Sequence, residues 1–243
     1  MFQQEILFEL NKVRALKAHY ITFSGALAIT VLATFSLWSG RSSEEVILAT
    51  ALLSSGFMSA LIWPVMAAVL ASRMVDIEFA HRGWLFLVTS GCSVRSIIGA
   101  KALVGMILLA LSIALQAVFT FAICIALGAT NIDGVRWVGF FILLWAITTV
   151  FFLFLMLAAC AVESQIVVLL SGVVSAFVAV FCFLVSTPIF YFFPWAYYSL
   201  ILPVRQWETT IIPNHVNLPA IAGFILVSIL IWVVCLNKLR IWR

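Results

Sequence analysis

The sequence predicts an all-α integral membrane protein of six transmembrane helices, and three observations lead there. Of 243 residues, 65% are hydrophobic and 9% charged, against roughly 45–50% and about 25% in soluble domains. The apolar residues fall into six runs, each near the roughly 20 residues that one helical span requires. None of these runs alternates polar with apolar residues in the manner of barrel strands of about ten residues. A mean hydropathy of +1.24 with 21 Phe and 9 Trp puts apolar side chains where a soluble fold needs a polar surface. Residues 1–243 form a single membrane domain, with little chain left for a soluble one.

The first nineteen residues precede the first span. Phe2, Ile6, Leu10, Val13 and Leu16 recur at spacings of three and four, while Glu5, Glu9, Lys12 and Arg14 occupy other faces. That pattern predicts an amphipathic helix lying along the inner leaflet. A short apolar core with a small-residue cleavage site is missing, so this segment is expected to stay attached. The spans follow at Tyr20–Trp38, Val46–Ala71, Ala102–Leu127, Trp137–Val162, Ile166–Val185 and Leu218–Leu236. The second contains Pro64, expected to kink it, together with Ser54, Ser55 and Ser59; the third contains Gln116. Hydrogen bonds between packed helices account for these polar groups. In the fifth, Ser171 and Ser175 form a small-xxx-small pair that lets a second helix approach closely, including one from a second subunit.

Lys and Arg set the orientation. Ten of them precede span one, lie between spans two and three, or follow span six, and three, Arg41, Arg136 and Arg205, lie on the other side. The positive-inside rule puts both termini in the cytoplasm. Lys101 and Glu163 then fall at cytoplasmic span ends, where snorkelling or solvent is expected to satisfy them.

Two connections exceed simple turns. The cytoplasmic one, 72–96, begins with Arg73, Asp76, Glu78 and Arg82, which continue span two as a charged helix. It then holds Gly83–Thr89, too short to cross a membrane yet rich in Trp84, Leu85, Phe86 and Leu87, which need an apolar partner. Docking of a short helix in a groove of a protein partner fits this, as does packing on the chain's own bundle. The external connection, 186–217, has Pro188, Pro194, Pro203 and Pro213 to break a spanning helix, and Trp195, Tyr197 and Tyr198 among eight aromatics suited to the headgroup zone. It reads as a cap in the outer leaflet, either a plain aromatic belt or a gate for an amphipathic substrate.

Marks of catalysis are lacking. Glu44-Glu45 has Ala49 where an intramembrane prenyl-protein protease motif needs Arg. No H-E-x-x-H zinc pair or serine-protease G-x-S-G occurs, and His19, His81 and His215 are dispersed. The five cysteines are isolated and read as small core residues rather than disulfides or metal ligands. A net charge of +4 spread over the chain does not suit nucleic acid. No phosphate-binding G-x-x-x-x-G-K-[ST] loop is present.

One set of residues resembles a known family. Glu78, Arg82-Gly83, a short apolar stretch, Ser90 through Ser93-Val94-Arg95, and Gly99-Ala100-Lys101 look like the coupling segment of ATP-binding cassette type-2 exporter permeases, with Cys92 and Trp84 where that pattern has Pro and Thr. Glu9-Leu-Asn-Lys12-Val-Arg14 is similar to the family's N-terminal motif. The resemblance implies an elbow helix over 1–19, a coupling helix within 72–96 and an external re-entrant segment over 186–217. It further implies separate ABC ATPase subunits that carry the ATP and magnesium, so that this chain binds no cofactor and is not itself an enzyme. Glu78, Arg82, Gly83, Trp84, Leu87 and Arg95 are then the ATPase-coupling residues, Trp195, Tyr197 and Tyr198 a substrate gate, and Ser171 and Ser175 dimer packing, in a homodimer or a heterodimer with a related permease. Short permeases of this kind resemble those that export antimicrobial peptides or confer immunity to lantibiotics, in the cell membrane of a bacterium. The alternative is a membrane-embedded assembly factor that holds a cytoplasmic partner without transport.

Overall fold

The computed structural model describes residues 2–15, 17–39, 46–79, 93–129, 133–162, 164–185, 193–207 and 210–238. Each apolar run becomes a helix, because in hydrocarbon every backbone amide must be satisfied within its own segment. Helix α1 (Phe2–Ala15) precedes α2 (Ala18–Ser39), α3 (Ile47–Phe79), α4 (Val94–Ala126), α5 (Gly134–Ala161) and α6 (Gln165–Leu184). A 3-10 turn (Pro194–Ala196), the one-turn helix α7 (Tyr197–Leu200), strands β1 (Val204–Trp207) and β2 (Thr210–Pro213), and helix α8 (Leu218–Lys238) complete the chain. Six of these helices, α2 to α6 and α8, are long and apolar enough to cross a membrane.

Local signals explain where the helices start and stop. The Ser93 hydroxyl accepts from the Ser96 amide to cap α4, and Asp133 does the same for the Arg136 amide at the start of α5. The Asn217 side chain accepts from the Ala220 amide at the head of α8. Gly128, just past α4, has φ +90°, the left-handed geometry that lets its neighbour Ala129 close back onto the Cys124 carbonyl. The turn from α1 to α2 puts Lys17 at φ 53°, an unfavourable conformation for a residue with a side chain.

Helix α3 is central, packed against α2, α4, α5 and α6, and it runs through Pro64 without interruption. Its 33 residues and the 33 of α4 span about 50 Å each, more than the ~30 Å hydrocarbon thickness. Gly172 of α6 lies so close to α3 that an added Cβ would sit 2.4 Å from the Ala68 Cβ and 3.1 Å from the Pro64 carbonyl oxygen. This close approach is made at Gly172 and does not involve the predicted pair Ser171 and Ser175. Ser175 is buried, and Ser171 and Ser175 donate to carbonyls of their own helix, Val168 and Ser171. The outward faces are apolar as well: Ile166, Leu170, Phe177 and Phe181 of α6 and Leu226, Leu230 and Val234 of α8 are exposed, which suits lipid contact.

Three sequence expectations are corrected. The helix α1 does not turn its apolar stripe to one side: Leu10 is exposed with Leu7 and Phe8, whereas Glu9 and Val13 are buried against the bundle. The reason is a partner for Glu9, described below. The 186–217 connection, read as an aromatic cap in an all-α chain, contains an antiparallel pair of strands, Val204↔Pro213 to Trp207↔Thr210. Of the cysteines, Cys124, Cys160 and Cys182 are buried but Cys235 is exposed, because α8 buries little beyond Ile221 and Ser228.

Candidate functional site

Long-range polar contacts concentrate at one end of the bundle, where α1 lies across the end of α3 and the start of α4. The Lys101 ammonium of α4 donates to Glu9 Oε2 of α1 at 2.7 Å and to Glu78 Oε1 of α3 at 2.9 Å. Lys12 Nζ donates to Glu9 Oε1 at 3.1 Å and also to Glu78 Oε1. The four side chains close a ring of alternating charge, Glu9, Lys12, Glu78, Lys101, with zero net charge. Lys101 is 1% exposed, and Glu9 and Glu78 are 3% exposed. Solvent and snorkelling therefore do not satisfy Lys101, as its place at a span end suggested; α4 begins at Val94, which sinks Lys101 two turns into the helix. An unpaired buried ammonium is strongly disfavoured, and that cost accounts for the turning of α1 that buries Glu9 rather than Leu10. Beside the ring, the Ser96 hydroxyl donates to the Glu5 carboxylate, and Arg95 Nη2 donates to the Asn237 carbonyl of α8 at 2.9 Å. The described ends of α1, α3, α4 and α8 are fastened together here.

Of the residues predicted to couple to an ATPase, Glu78 faces inward in the ring and Arg95 is exposed at the start of α4. Arg82, Gly83, Trp84 and Leu87 lie outside the described residues. The ring residues Glu9, Lys12 and Lys101 were not predicted as site residues. The signal that could have found them is that all three lie in the family-like segments Glu9-Leu-Asn-Lys12-Val-Arg14 and Gly99-Ala100-Lys101, on segments that the topology brings to the same side.

Mid-bundle, a second polar group joins α3 and α4. The Trp63 indole donates to Gln116 Oε1 at 2.9 Å, and Gln116 Nε2 donates to Ser59 Oγ at 3.1 Å; all three are fully buried. One turn away, the Ser55 hydroxyl is buried with no hydrogen-bond partner among the described residues. Replacing Gln116 with Leu orphans the Trp63 N–H and is expected to cost about 1–3 kcal/mol, measurable by denaturant titration of the purified protein in micelles; the Ser59 hydroxyl can turn back to its own helix.

At the opposite end, the segment 193–204 plugs the bundle. Tyr198 is buried, and its hydroxyl donates to Thr148 Oγ1 of α5 at 3.2 Å; burial pushes this phenol above its ordinary pKa. Phe151 packs 5.5 Å from the Tyr198 ring and 6.4 Å from that of Trp195. The Tyr197 ring stacks on Phe224 of α8 at 3.9 Å. Leu202 fills the space over Gly56 of α3, where a Cβ would lie 2.0 Å from its Cδ1. Asn214 of the hairpin ties this plug down by donating to the Leu202 and Pro203 carbonyls at 3.0 and 2.8 Å. Trp195 Nε1 is buried without a partner among the described residues. Trp195, Tyr197 and Tyr198 therefore meet in the bundle's end, with the two tyrosines inside it.

Among the described residues, no group of three His, Cys, Asp or Glu side chains is placed to hold a metal ion. No curated protein matches the chain. The family of ABC-2 family transporter proteins matches residues 5–186, a stretch that includes α1 from Glu5 and runs to the end of α6, so that ring, α3–α4 pair and central helices all lie inside it. With six apolar helices long enough to span a bilayer, the chain is an integral membrane transporter subunit and belongs to the ABC-2 permease family.

Proposed function

We propose that the chain is the membrane-spanning half of an ATP-driven exporter, with both termini in the cytoplasm, moving an amphipathic molecule such as a membrane-active peptide or a lipid-like compound outward. Hydrolysis takes place on separate ABC ATPase subunits, reached through the cytoplasmic connection 72–96, and two permease chains, identical or related, form the assembly. The family match over 5–186 carries the transport reading. The interior supports the substrate class: away from the four-residue ring, the buried polar side chains among the described residues are hydroxyls and Gln116, without charge. A polar solute leaves amides or hydroxyls unpaired in such surroundings, at roughly 2–7 kcal/mol each. The aromatic plug is the outer gate, and the ring end, with most of the Lys and Arg, faces the cytoplasm.

The test is survival of cells that co-express the chain with an ABC ATPase subunit and are challenged with the cationic amphipathic peptide melittin. Protection is expected, and it disappears when the ATPase lacks its phosphate-binding lysine. Alanine at Tyr197 or Tyr198 empties part of the core, so the gate is better probed by Tyr198→Phe, which removes the bond to Thr148 and keeps the ring. Protection should change by about two- to tenfold, the equivalent of one net hydrogen bond of about 0.5–1.5 kcal/mol. Efficient transport of a small hydrophilic solute by the reconstituted complex overturns the substrate class. For orientation, a Cys introduced at Asn214 is expected to react with an impermeant thiol reagent in intact cells while native Cys92 does not; the reverse pattern inverts the topology.

A further inference from the structure

We propose that Lys101 is a positioning residue for the coupling connection 72–96: shared between Glu9 and Glu78, it binds the elbow helix α1 to the end of α3 and the start of α4, the two described stems of that connection, so that the three move as one body. This rests on the coupling role proposed for that connection, and it adds residues to which neither the family match nor the motifs assign a role. The geometry carries it. The described part of α3 ends at Phe79, one residue past Glu78, and α4 begins at Val94, seven residues before Lys101. Both stems thus end next to the ring. Lys101 joins stem to stem through Glu78 at 2.9 Å, and joins the second stem to α1 through Glu9 at 2.7 Å. Lys12 closes the circuit by joining α1 to the first stem through Glu78. A second tie reinforces the join between α1 and α4, since Ser96 donates to Glu5.

The physical consequence is a stiff triangle. Withdrawing α3 strips Glu78 of both its ammonium partners and withdrawing α4 strips Lys101 of both its carboxylates, while withdrawing α1 takes one of the two partners from each of Glu78 and Lys101 in a poorly solvated place, so the three elements resist sliding apart. A contact between hydrophobic side chains at the same place would tolerate sliding at little cost. A push on the loop from an ATPase is therefore delivered to α3 and α4 together instead of being absorbed by the stems splaying. Farther along the same two helices, the Trp63, Gln116 and Ser59 bonds repeat the tie at mid-bundle.

The experiment uses the full chain in lipid nanodiscs, alone and in complex with its ATPase subunit, and the double variant Lys101→Met with Glu9→Gln. That pair removes one positive and one negative charge, leaves the neutral Lys12–Glu78 pair and the Ser96–Glu5 bond, and so cuts the ionic tie between α1 and α4 without stranding a buried charge. Hydrogen exchange of the backbone amides in α1 and in 94–101 is expected to accelerate together, on the order of tenfold, while amides of α5 and α6 keep their wild-type rates. In the complex, the stimulation of ATP hydrolysis by the permease, relative to the ATPase alone, is expected to fall severalfold. Unchanged exchange in α1 and 94–101 overturns the tie; faster exchange with full stimulation reduces the ring to a structural feature and overturns the positioning role. A Trp84→Ala, Leu87→Ala variant run in parallel separates the two readings. If it leaves stimulation intact, the loop is not the coupling element, whereas if it abolishes stimulation and the Lys101→Met, Glu9→Gln variant does not, the loop couples without help from the ring.

Discussion

Replacing Lys101 alone with Met is expected to lower folding stability by about 3–5 kcal/mol, the range found when one member of a buried ion group is removed. The side chains are similar in length, so the loss is electrostatic. Glu9 and Glu78 are left to share Lys12, and the ring changes from neutral to a net charge of −1 in a place where both carboxylates are 3% exposed. Lys12, with its side chain 18% exposed, is the least buried member, and Lys12→Met should cost less because water reaches its site. Denaturant unfolding in micelles, followed by tryptophan fluorescence, measures both. A cost below about 1 kcal/mol for Lys101→Met would place the ring with surface ion pairs, whose contribution is small.

The second large effect lies in the connection 72–96. Trp84→Ala combined with Leu87→Ala is expected to abolish permease-dependent stimulation of ATP hydrolysis and to reduce copurification of the ATPase subunit. Burial of each side chain in a partner groove is worth on the order of 1.5–3 kcal/mol, so the pair removes enough to dissociate an interface of modest affinity, roughly a thousandfold at the middle of that range. The stability of the permease itself should change little, which separates this variant from those in the ring. Retained copurification with full stimulation would show that the apolar segment Gly83–Thr89 is not the docking element.

Both predictions concern the same end of the molecule, yet the sequence makes them legible to different degrees. Trp84 and Leu87 stand out as apolar residues in a short stretch between charged segments, an anomaly visible without any structure. Lys101 does not stand out, since a lysine near the end of a span is ordinary, and its partners Glu9 and Glu78 lie 92 and 23 residues away. Pairing of that kind depends on how helices are arranged in space.

The sequence by itself determined that the chain is an integral membrane protein and which six apolar runs are helical, though not that α4 begins at Val94, ahead of its run. The reason is that hydrocarbon leaves an isolated segment no choice: about 20 apolar residues must be helical to satisfy their own backbone. The same uniform apolarity hid which face of each helix turns inward. In α2, α3 and α5, residues facing lipid and residues facing the core are equally hydrophobic, so periodicity carries no signal of the kind that marks a soluble amphipathic helix. Packing decided it through size, as where Gly172 admits Ala68 and Gly105 admits the Phe152 ring. The tertiary structure alone also decided that α1 buries Glu9 and exposes Leu10, against its own amphipathic pattern, and that the plug over the far end is pinned by a hairpin. In both cases the deciding free energy belongs to groups distant in the chain: a buried ammonium that must have carboxylates, and carbonyls at Leu202 and Pro203 that find their donors in Asn214.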